Sequence, residues 1–247
     1  MSTKKENIAI WQDTINECTN GLYKDAPKPA SVLYNELPLT PFTRHYKMTV
    51  KVIDTDTFTC CEHYAQQGFN VMGLNMASHR NPGGGVDSGS FSQEENCFRR
   101  SNYFQVLKKS MYPFPETSCI YSPAVTVIKD NQYKLLKQPF TVAMVACAAL
   151  RRPSLTQNGQ YYKLTDKLLM KYKIEQIFQT GYLMKHDTLV LGAFGCGAFL
   201  NPPEEVADLF NQVLRKYDGC FKNVIFAVMS YKDKNYEVFN TKINQSN

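Results

Sequence analysis

Two adjacent carboxylates, Glu94 and Glu95, follow shortly after a triple glycine in the stretch Asn81-Pro-Gly-Gly-Gly-Val-Asp-Ser-Gly-Ser-Phe-Ser-Gln-Glu-Glu95. Gly83, Gly84 and Gly85 carry no Cβ, so their backbone can come close to a ligand. A carboxylate next to such a loop can give or take a proton on whatever the loop holds. Cleavage of a glycosidic bond needs a proton on the leaving oxygen and a water at an oxocarbenium-like carbon. With a single carboxylate cluster, one glutamate must act first as acid and then as base. Neighbouring helical positions point about 100° apart, so the pair divides its work: one orients a sugar hydroxyl, the other handles the proton. The plain alternative is a pair of helix N-terminal acids set there by the macrodipole, worth about 0.3–1 kcal/mol.

A second glycine-rich stretch, Gly192-Ala-Phe-Gly-Cys-Gly-Ala-Phe199, follows another apolar run. Gly195 and Gly197 are open to a packing role or to a phosphate-binding one. Two such loops, each leaving an apolar strand, would lie at one edge of a sheet and offer two sets of backbone N–H groups to a diphosphate. Arg99 and Arg100 read as a solvated face or as a clamp on the glutamates. His79 precedes the first loop without a visible orienting partner, and neither Cys97 nor Cys196 has the histidine a nucleophile needs.

These groups need elements to position them. Residues 3–24 read as a helix, with a Thr3/Glu6 capping box and an apolar stripe of Ile8, Trp11, Ile15, Cys18 and Leu22. Residues 25–41 hold four of the twelve prolines and form an extended connecting arm. Strands are expected at 47–53, 70–76, in two pieces over 118–128 with a bend at Pro123, and at 140–147, 188–191 and 223–229. Helices are expected at 58–67, 93–109, 165–181 capped by Thr165 or Asp166, and from Pro202 to the region of Gly219. The tail 241–247 reads as frayed. Strands alternate with helices and nothing repeats. This predicts a three-layer α/β fold over residues 46–247, with residues 1–45 as a helical extension packed on it.

The chain has 247 residues, 43% of them hydrophobic, and a net charge of +6. That is enough apolar material for a sizeable core. The positive balance is spread out, which suits phosphates more than duplex nucleic acid. Eight cysteines lie at irregular spacings without a CxxC pair, arguing against a zinc site and for reduced, buried thiols in an intracellular protein. The polar start Met1–Glu6 shows no signal-peptide pattern, and no apolar run approaches the length of a membrane span.

Pro82-Gly-Gly-Gly85, seven intervening residues and Gln93-Glu94-Glu95 resemble the signature of the poly(ADP-ribose) glycohydrolases. Arg99-Arg100-Ser101, Ser122-Pro-Ala-Val125 and Leu191-Gly-Ala-Phe-Gly-Cys-Gly-Ala-Phe199 extend the likeness to the compact bacterial-type branch. The resemblance implies a macrodomain-like fold, a mixed sheet flanked by helices, that binds ADP-ribose in a cleft and hydrolyses the ribose–ribose bond of poly(ADP-ribose). It implies Glu95 as the catalytic group and Glu94 as its ribose-orienting neighbour. Gly83, Gly84, Gly85 and Gln93 would belong to the catalytic loop and its helix, and Asn81 would touch ribose hydroxyls. Gly195, Cys196, Gly197 and Ala198 would form the diphosphate loop, Phe199 would position the terminal ribose, and Asp56 would stand at the adenine end. It further implies no cofactor and no metal, poly(ADP-ribose) on modified proteins as substrate, ADP-ribose as product, and a monomer. No membrane and no sequence-specific nucleic acid are involved. The expected location is cytoplasmic, with a nuclear one open to a eukaryotic source. The chain departs from the family pattern at Leu150, where Ala-Ala-Pro is usual, and at Leu200, where a small or polar residue is commoner.

Three rival readings share the fold. An ADP-ribose-binding reader macrodomain would dispense with the glutamates, a mono-ADP-ribosyl hydrolase would act on singly modified targets, and a nucleotide-binding structural protein would hydrolyse nothing.

Overall fold

The computed structural model describes residues 3–38, 41–230 and 234–244. The first helix, α1 (Lys4–Thr19), begins at the expected capping box: Thr3 Oγ1 accepts the Glu6 amide while the Glu6 carboxylate accepts the Thr3 amide. It ends five residues earlier than its periodicity suggested, and its buried face is Asn7, Trp11, Thr14 and Cys18. Polar Asn7 and Thr14 take the place of apolar Ile8 and Ile15 because they have hydrogen-bond partners inside. Asn7 Nδ2 donates to Gly89 O at 3.1 Å and Thr14 Oγ1 to Arg99 O. Leu22, beyond the helix end, is 79% exposed.

Seven strands form one mixed sheet: β1 (Val32–Tyr34), β2 (Thr49–Ile53), β3 (Val71–Met76), β4 (Cys119–Lys129), β5 (Leu135–Cys147), β6 (Thr188–Leu191) and β7 (Asn223–Ala227). Their order is β1-β4-β5-β3-β6-β7-β2. The five from β5 to β2 run parallel, and β4 and β1 add antiparallel pairings at one side. The expected arm is thus partly a strand, since β1 pairs with β4; its residues 39 and 40 lie outside the described residues. Pro123 does not split β4. The strand is continuous, and its register against β5 shifts between Ser122 and Val125, a bulge that tolerates a residue without an N–H.

Helices cover both faces. One core layer joins Trp11 of α1 to α2 (Thr57–Gln66), α3 (Gln93–Arg100) and α4 (Tyr103–Val106) through Phe58, Phe98 and Tyr103. The other packs α5 (Leu164–Leu183), α6 (Pro203–Lys216) and α7 (Asn235–Asn244) through Phe178, Phe210 and Phe239. The continuous helix expected over 93–109 stops at Arg100. Ser101 turns extended, its hydroxyl donates to Cys97 O, and the Asn102 amide is drawn to Thr126 O on β4. The N-cap of α5 is Lys163, with Thr165 and Asp166 inside the first turn. The tail expected to fray is helical in α7 as far as Asn244; residues 245–247 lie outside the described residues.

α1 is integral to the layer that carries Glu94 and Glu95. Trp11 meets Phe98 and Phe104 at ring-centroid distances of 6.1 and 5.2 Å, and its Nε1 donates to Asp87 Oδ1 at 2.7 Å. Buried Lys129 of β4 reaches α1 to bond Asp13, Thr14 and Ile10 O. Trp11→Ala should therefore cost about 3–5 kcal/mol in unfolding free energy, whereas Leu22→Ala should stay within about 0.5 kcal/mol of wild type. Denaturant titration of both checks this.

Candidate active site

The Gly83-Gly84-Gly85 loop follows the carboxyl end of β3, and the second glycine loop leaves the carboxyl end of β6, its parallel neighbour. Both expected loops therefore meet at one edge of the sheet, where α/β folds take ligands. A cleft of about 980 Å³ opens there. Asp56, Phe91, Ser92, Gln93 and Asn96 contribute to its lining, as do Gly195, Gly197, Ala198, Phe199, Val228 and Met229.

Gln93 fixes the start of α3. Its Nε2 donates to Leu74 O and Thr57 Oγ1, and its Oε1 accepts the Met76 amide at 2.9 Å. The carboxamide thereby continues the hydrogen bonding of β3 at its last residues and ties helix to strand. Glu94 comes next, 3% exposed. Its Oε2 accepts the Ser78 amide at 2.7 Å, and its Oε1 accepts the Gly83 amide at 3.1 Å and Asn75 Nδ2 at 3.5 Å. Glu95 is 6% exposed. Its Oε1 accepts the Gly85 amide at 2.9 Å and its Oε2 accepts the hydroxyl of Ser92, which lines the cleft.

The room left by the missing glycine side chains is taken by the protein itself. A Cβ on Gly84 would stand 2.7 Å from Glu95 Oε1 and 3.0 Å from Glu94 Oε2, and one on Gly83 would stand 2.5 Å from the Phe98 ring. The two carboxylates leave the helix in different directions yet flank the same glycine. Burial pushes the Glu94 carboxyl up to about 8, against the Ser78 amide and with the added push of the Glu95 charge, while Asn75 and the Gly83 amide pull it down.

Arg99 and Arg100 are neither a solvated face nor a clamp on the glutamates, which corrects the expectation for both. They are 0% and 1% exposed. Arg99 Nη1 donates to Ser90 O, while Arg100 donates to Lys129 O and Asn96 Oδ1 and pairs with Asp56. Asp56 also caps α2 by accepting the Thr59 amide. Burial would raise its carboxyl, but the Arg100 guanidinium and the Thr59 hydrogen bonds outweigh that and hold it below the usual range.

The second loop is pinned from behind by Asn201. Its Nδ2 donates to Leu150 O and Gly195 O, and its Oδ1 accepts Tyr161 Oη. Gly195 has φ +76°, and a Cβ there would meet Ala149 and Asn201 at 2.5 and 2.6 Å, so only glycine fits. The Cys196 amide donates to Ala193 O, and Cys196 does not contribute to the cleft lining. The amides of Gly195, Gly197, Ala198 and Phe199 have no acceptor among the described residues. At the first departure from the family pattern, the Leu150 amide donates to Met170 Sδ, a bond proline could not make. At the second, Leu200 holds φ +56° and is 56% exposed.

Asp56, Gln93, Gly195, Gly197, Ala198 and Phe199 thus share one cleft. Glu94, Glu95 and the three glycines lie behind Ser92 and Gln93, and exposed Asn81 lies outside the cleft lining, its carbonyl accepting the Gly84 amide. Phe91, Val228 and Met229 were missed. Phe91 carried a signal, an aromatic alone in a polar loop; the other two became visible only when β7 was placed beside β6. Among the described residues no three His, Cys, Asp or Glu side chains group as a metal site would require.

The family model of the microbial-type PARG catalytic domain matches residues 13–130, which include the first glycine loop and both glutamates but not the second loop. No curated protein matches. Among solved structures, the poly(ADP-ribose) glycohydrolase of Thermomonospora curvata superposes with a TM-score of 0.84 at 24% identity, over 96% of this chain and 99% of that one. The same protein bound to the inhibitor ADP-HPD gives 0.83 at 24% identity, over 96% and 99%. The poly(ADP-ribose) glycohydrolase of Deinococcus radiodurans in complex with ADP-ribose gives 0.73 at 26% identity, over 81% of this chain and 86% of that one. The seven-stranded mixed sheet flanked by helices is therefore the macrodomain-like fold of these enzymes, and over residues 13–130 the chain is similar to the microbial-type PARG catalytic domain.

Proposed function

We propose that the protein is a poly(ADP-ribose) glycohydrolase that cleaves the ribose–ribose O-glycosidic bond and releases ADP-ribose. The observation that carries this reading is the buried Glu94–Glu95 pair, held on the amides of residues 78, 83 and 85 beside a cleft whose opposite loop presents amides without acceptors. Free backbone N–H groups suit a diphosphate. The glutamates distinguish this site from a reader, which needs the cradle alone. Poly(ADP-ribose) on modified proteins is then the substrate and ADP-ribose the product.

With Glu94 pushed up to about 8, the site holds a proton at neutral pH. Glu95 delivers it, because the Ser92 hydroxyl on its Oε2 stands at the cleft. The proton goes to the leaving 2′ oxygen as the bond to the anomeric carbon breaks. The diphosphate on the amides of residues 195 and 197–199 stabilises the oxocarbenium-like centre. Glu95 then takes a proton from the attacking water, which restores the pair. Glu94, fixed by Ser78 and Gly83, orients the ribose and keeps Glu95 in place, and Gln93 is a positioning residue that anchors α3 to β3. Asn81 is assigned to ribose hydroxyls, Phe199 to the terminal ribose and Asp56 to the adenine end. The enzyme works as a monomer without a metal or cofactor. Its eight cysteines are all free and buried, which supports a reducing compartment, the cytoplasm. No described helix is long and apolar enough to cross a membrane.

Glu95→Ala should lower ADP-ribose release from purified poly(ADP-ribose) by at least about 10²–10⁴-fold, with ADP-ribose affinity kept. Binding without release by the wild type would favour the reader, and release from singly modified targets the mono-ADP-ribosyl hydrolase.

Glu94 also sets the sign of a stability effect. Its folded pKa of about 8 lies above the ordinary 4.5. Its stabilising contribution is therefore full below the unfolded value and is lost as pH rises through the folded one. Glu94→Gln cannot titrate. Its unfolding free energy should fall less between about pH 5 and 8.5 than that of wild type, by on the order of 3 kcal/mol. Equal pH dependence of both proteins in denaturant titrations would contradict this.

A further inference from the structure

Three exposed arginines stand beside one end of the cleft. β3 and β5 are parallel neighbours with Met76 opposite Cys147, and the Ala77 amide donates to Cys147 O at 2.9 Å. The segments that leave these strands, residues 77–81 and 148–152, therefore start side by side at the edge that carries the cleft. The first brings Arg80 and the second brings Arg151 and Arg152, all three exposed. None of them has an ion pair among the described residues. The Arg152 amide donates to Phe199 O at 2.7 Å, which ties the second segment to the cleft lining. Arg80 precedes Asn81 and the first glycine loop, and its Nε lies 3.4 Å from His79 Nε2. Burial holds the His79 imidazole below its ordinary value, and Arg80, Lys173 and Arg151 push the same way against Glu116. These charges therefore stand around one ring. Lys173 is already committed, since it is buried and its Nζ donates to Glu116 O. The arginines remain open to solvent, and guanidinium forks match phosphate oxygens.

The chemistry of the polymer identifies the anion that reaches them. The bond to be cut joins the anomeric carbon of the terminal ribose to the 2′ oxygen of the next unit. With the terminal ribose at Phe199 and Asn81 and its adenine toward Asp56, the next unit leaves the cleft at the end away from Asp56. Its path runs past residues 79–81 and 151–152. The first anionic group it carries beyond the 2′ oxygen is its own diphosphate. We infer that Arg80, Arg151 and Arg152 form a subsite for the diphosphate of the second ADP-ribose unit, so that the polymer is held on both sides of the bond to be cut. This rests on the glycohydrolase reading. The two diphosphate sites differ in kind: the first offers backbone amides of a fixed loop, and the second offers exposed charged side chains. Salt therefore screens the second.

The test sets kinetics of the full chain on poly(ADP-ribose) beside calorimetric titration with free ADP-ribose. Arg80→Gln, Arg151→Gln and Arg152→Gln should each raise KM for the polymer by about 2–5-fold, the usual worth of an exposed ionic contact, and the triple variant by about 10–100-fold. kcat should stay within a few-fold, because contacts made equally in the ground and transition states do not alter it. Affinity for free ADP-ribose should not change. KM of the wild type should rise with ionic strength more steeply than KM of the triple variant. Glu116→Gln, which removes the opposing charge, should lower KM. Unchanged KM in the folded triple variant, or an equal loss of affinity for free ADP-ribose, would overturn the subsite and leave the glycohydrolase reading standing. If the triple variant does not fold, the single variants and Glu116→Gln decide, and no shift of KM in any of them overturns the subsite. No release of ADP-ribose from the polymer by the wild type would overturn the glycohydrolase reading and the subsite with it.

Discussion

The close approach of the Gly84 backbone to two carboxylates is the constraint on which the site depends. Glu94 and Glu95 sit on either side of one residue that has no room for a Cβ. Glu94 accepts the Ser78 and Gly83 amides and Asn75 Nδ2, and Glu95 accepts the Gly85 amide and the Ser92 hydroxyl. Neither partner holds that shape alone: the loop needs acceptors for amides that no strand satisfies, and the buried carboxyl groups need donors in place of water. The rest of the fold keeps them together. Gln93 ties the first turn of α3 to the end of β3, Phe98 packs against Gly83, and α1 closes the back through Trp11, Asn7 and Thr14. An N-terminal helix far from the cleft in sequence thereby bears on the placement of Glu94 and Glu95.

Charge is buried around this arrangement to an unusual extent, and each charge meets a defined partner. Arg100 neutralises Asp56 at one end of the cleft, Lys129 joins β4 to α1 through Asp13, and Arg99 lies between aromatic rings. Glu94 and Glu95 have hydrogen-bond donors but no cation, and burial pushes the Glu94 carboxyl up to about 8. The fold thereby holds a desolvated proton in the first turn of α3.

Much of this was legible in the sequence. The Thr3/Glu6 capping box, the apolar runs of β3 and β6 and the two glycine loops all follow from local rules, and the motif from Pro82 to Glu95 pointed to the family model that matches. What escaped was set by long-range partners. Asn7 and Thr14 displaced the apolar residues of α1 because distant carbonyls were waiting for them, and α3 stopped at Arg100 because the chain after it pairs with β4. Arg99 and Arg100 look solvated in sequence; only the folded neighbourhood supplies Ser90 O, Lys129 O and Asp56. The glycines were recognised as close-approach residues, but what approaches them is the glutamate pair.

The most direct measurement is turnover of poly(ADP-ribose) by Gly84→Ala, with ADP-ribose affinity and unfolding free energy determined on the same sample. The added methyl enters the space between the carboxylates and leaves the diphosphate loop untouched. Turnover reduced by about 100-fold or more in a folded protein that still binds ADP-ribose is the predicted result, in keeping with loss of a positioned acid–base group. Near-wild-type turnover would contradict the account, because it would mean that the glycine loop does not place the glutamates.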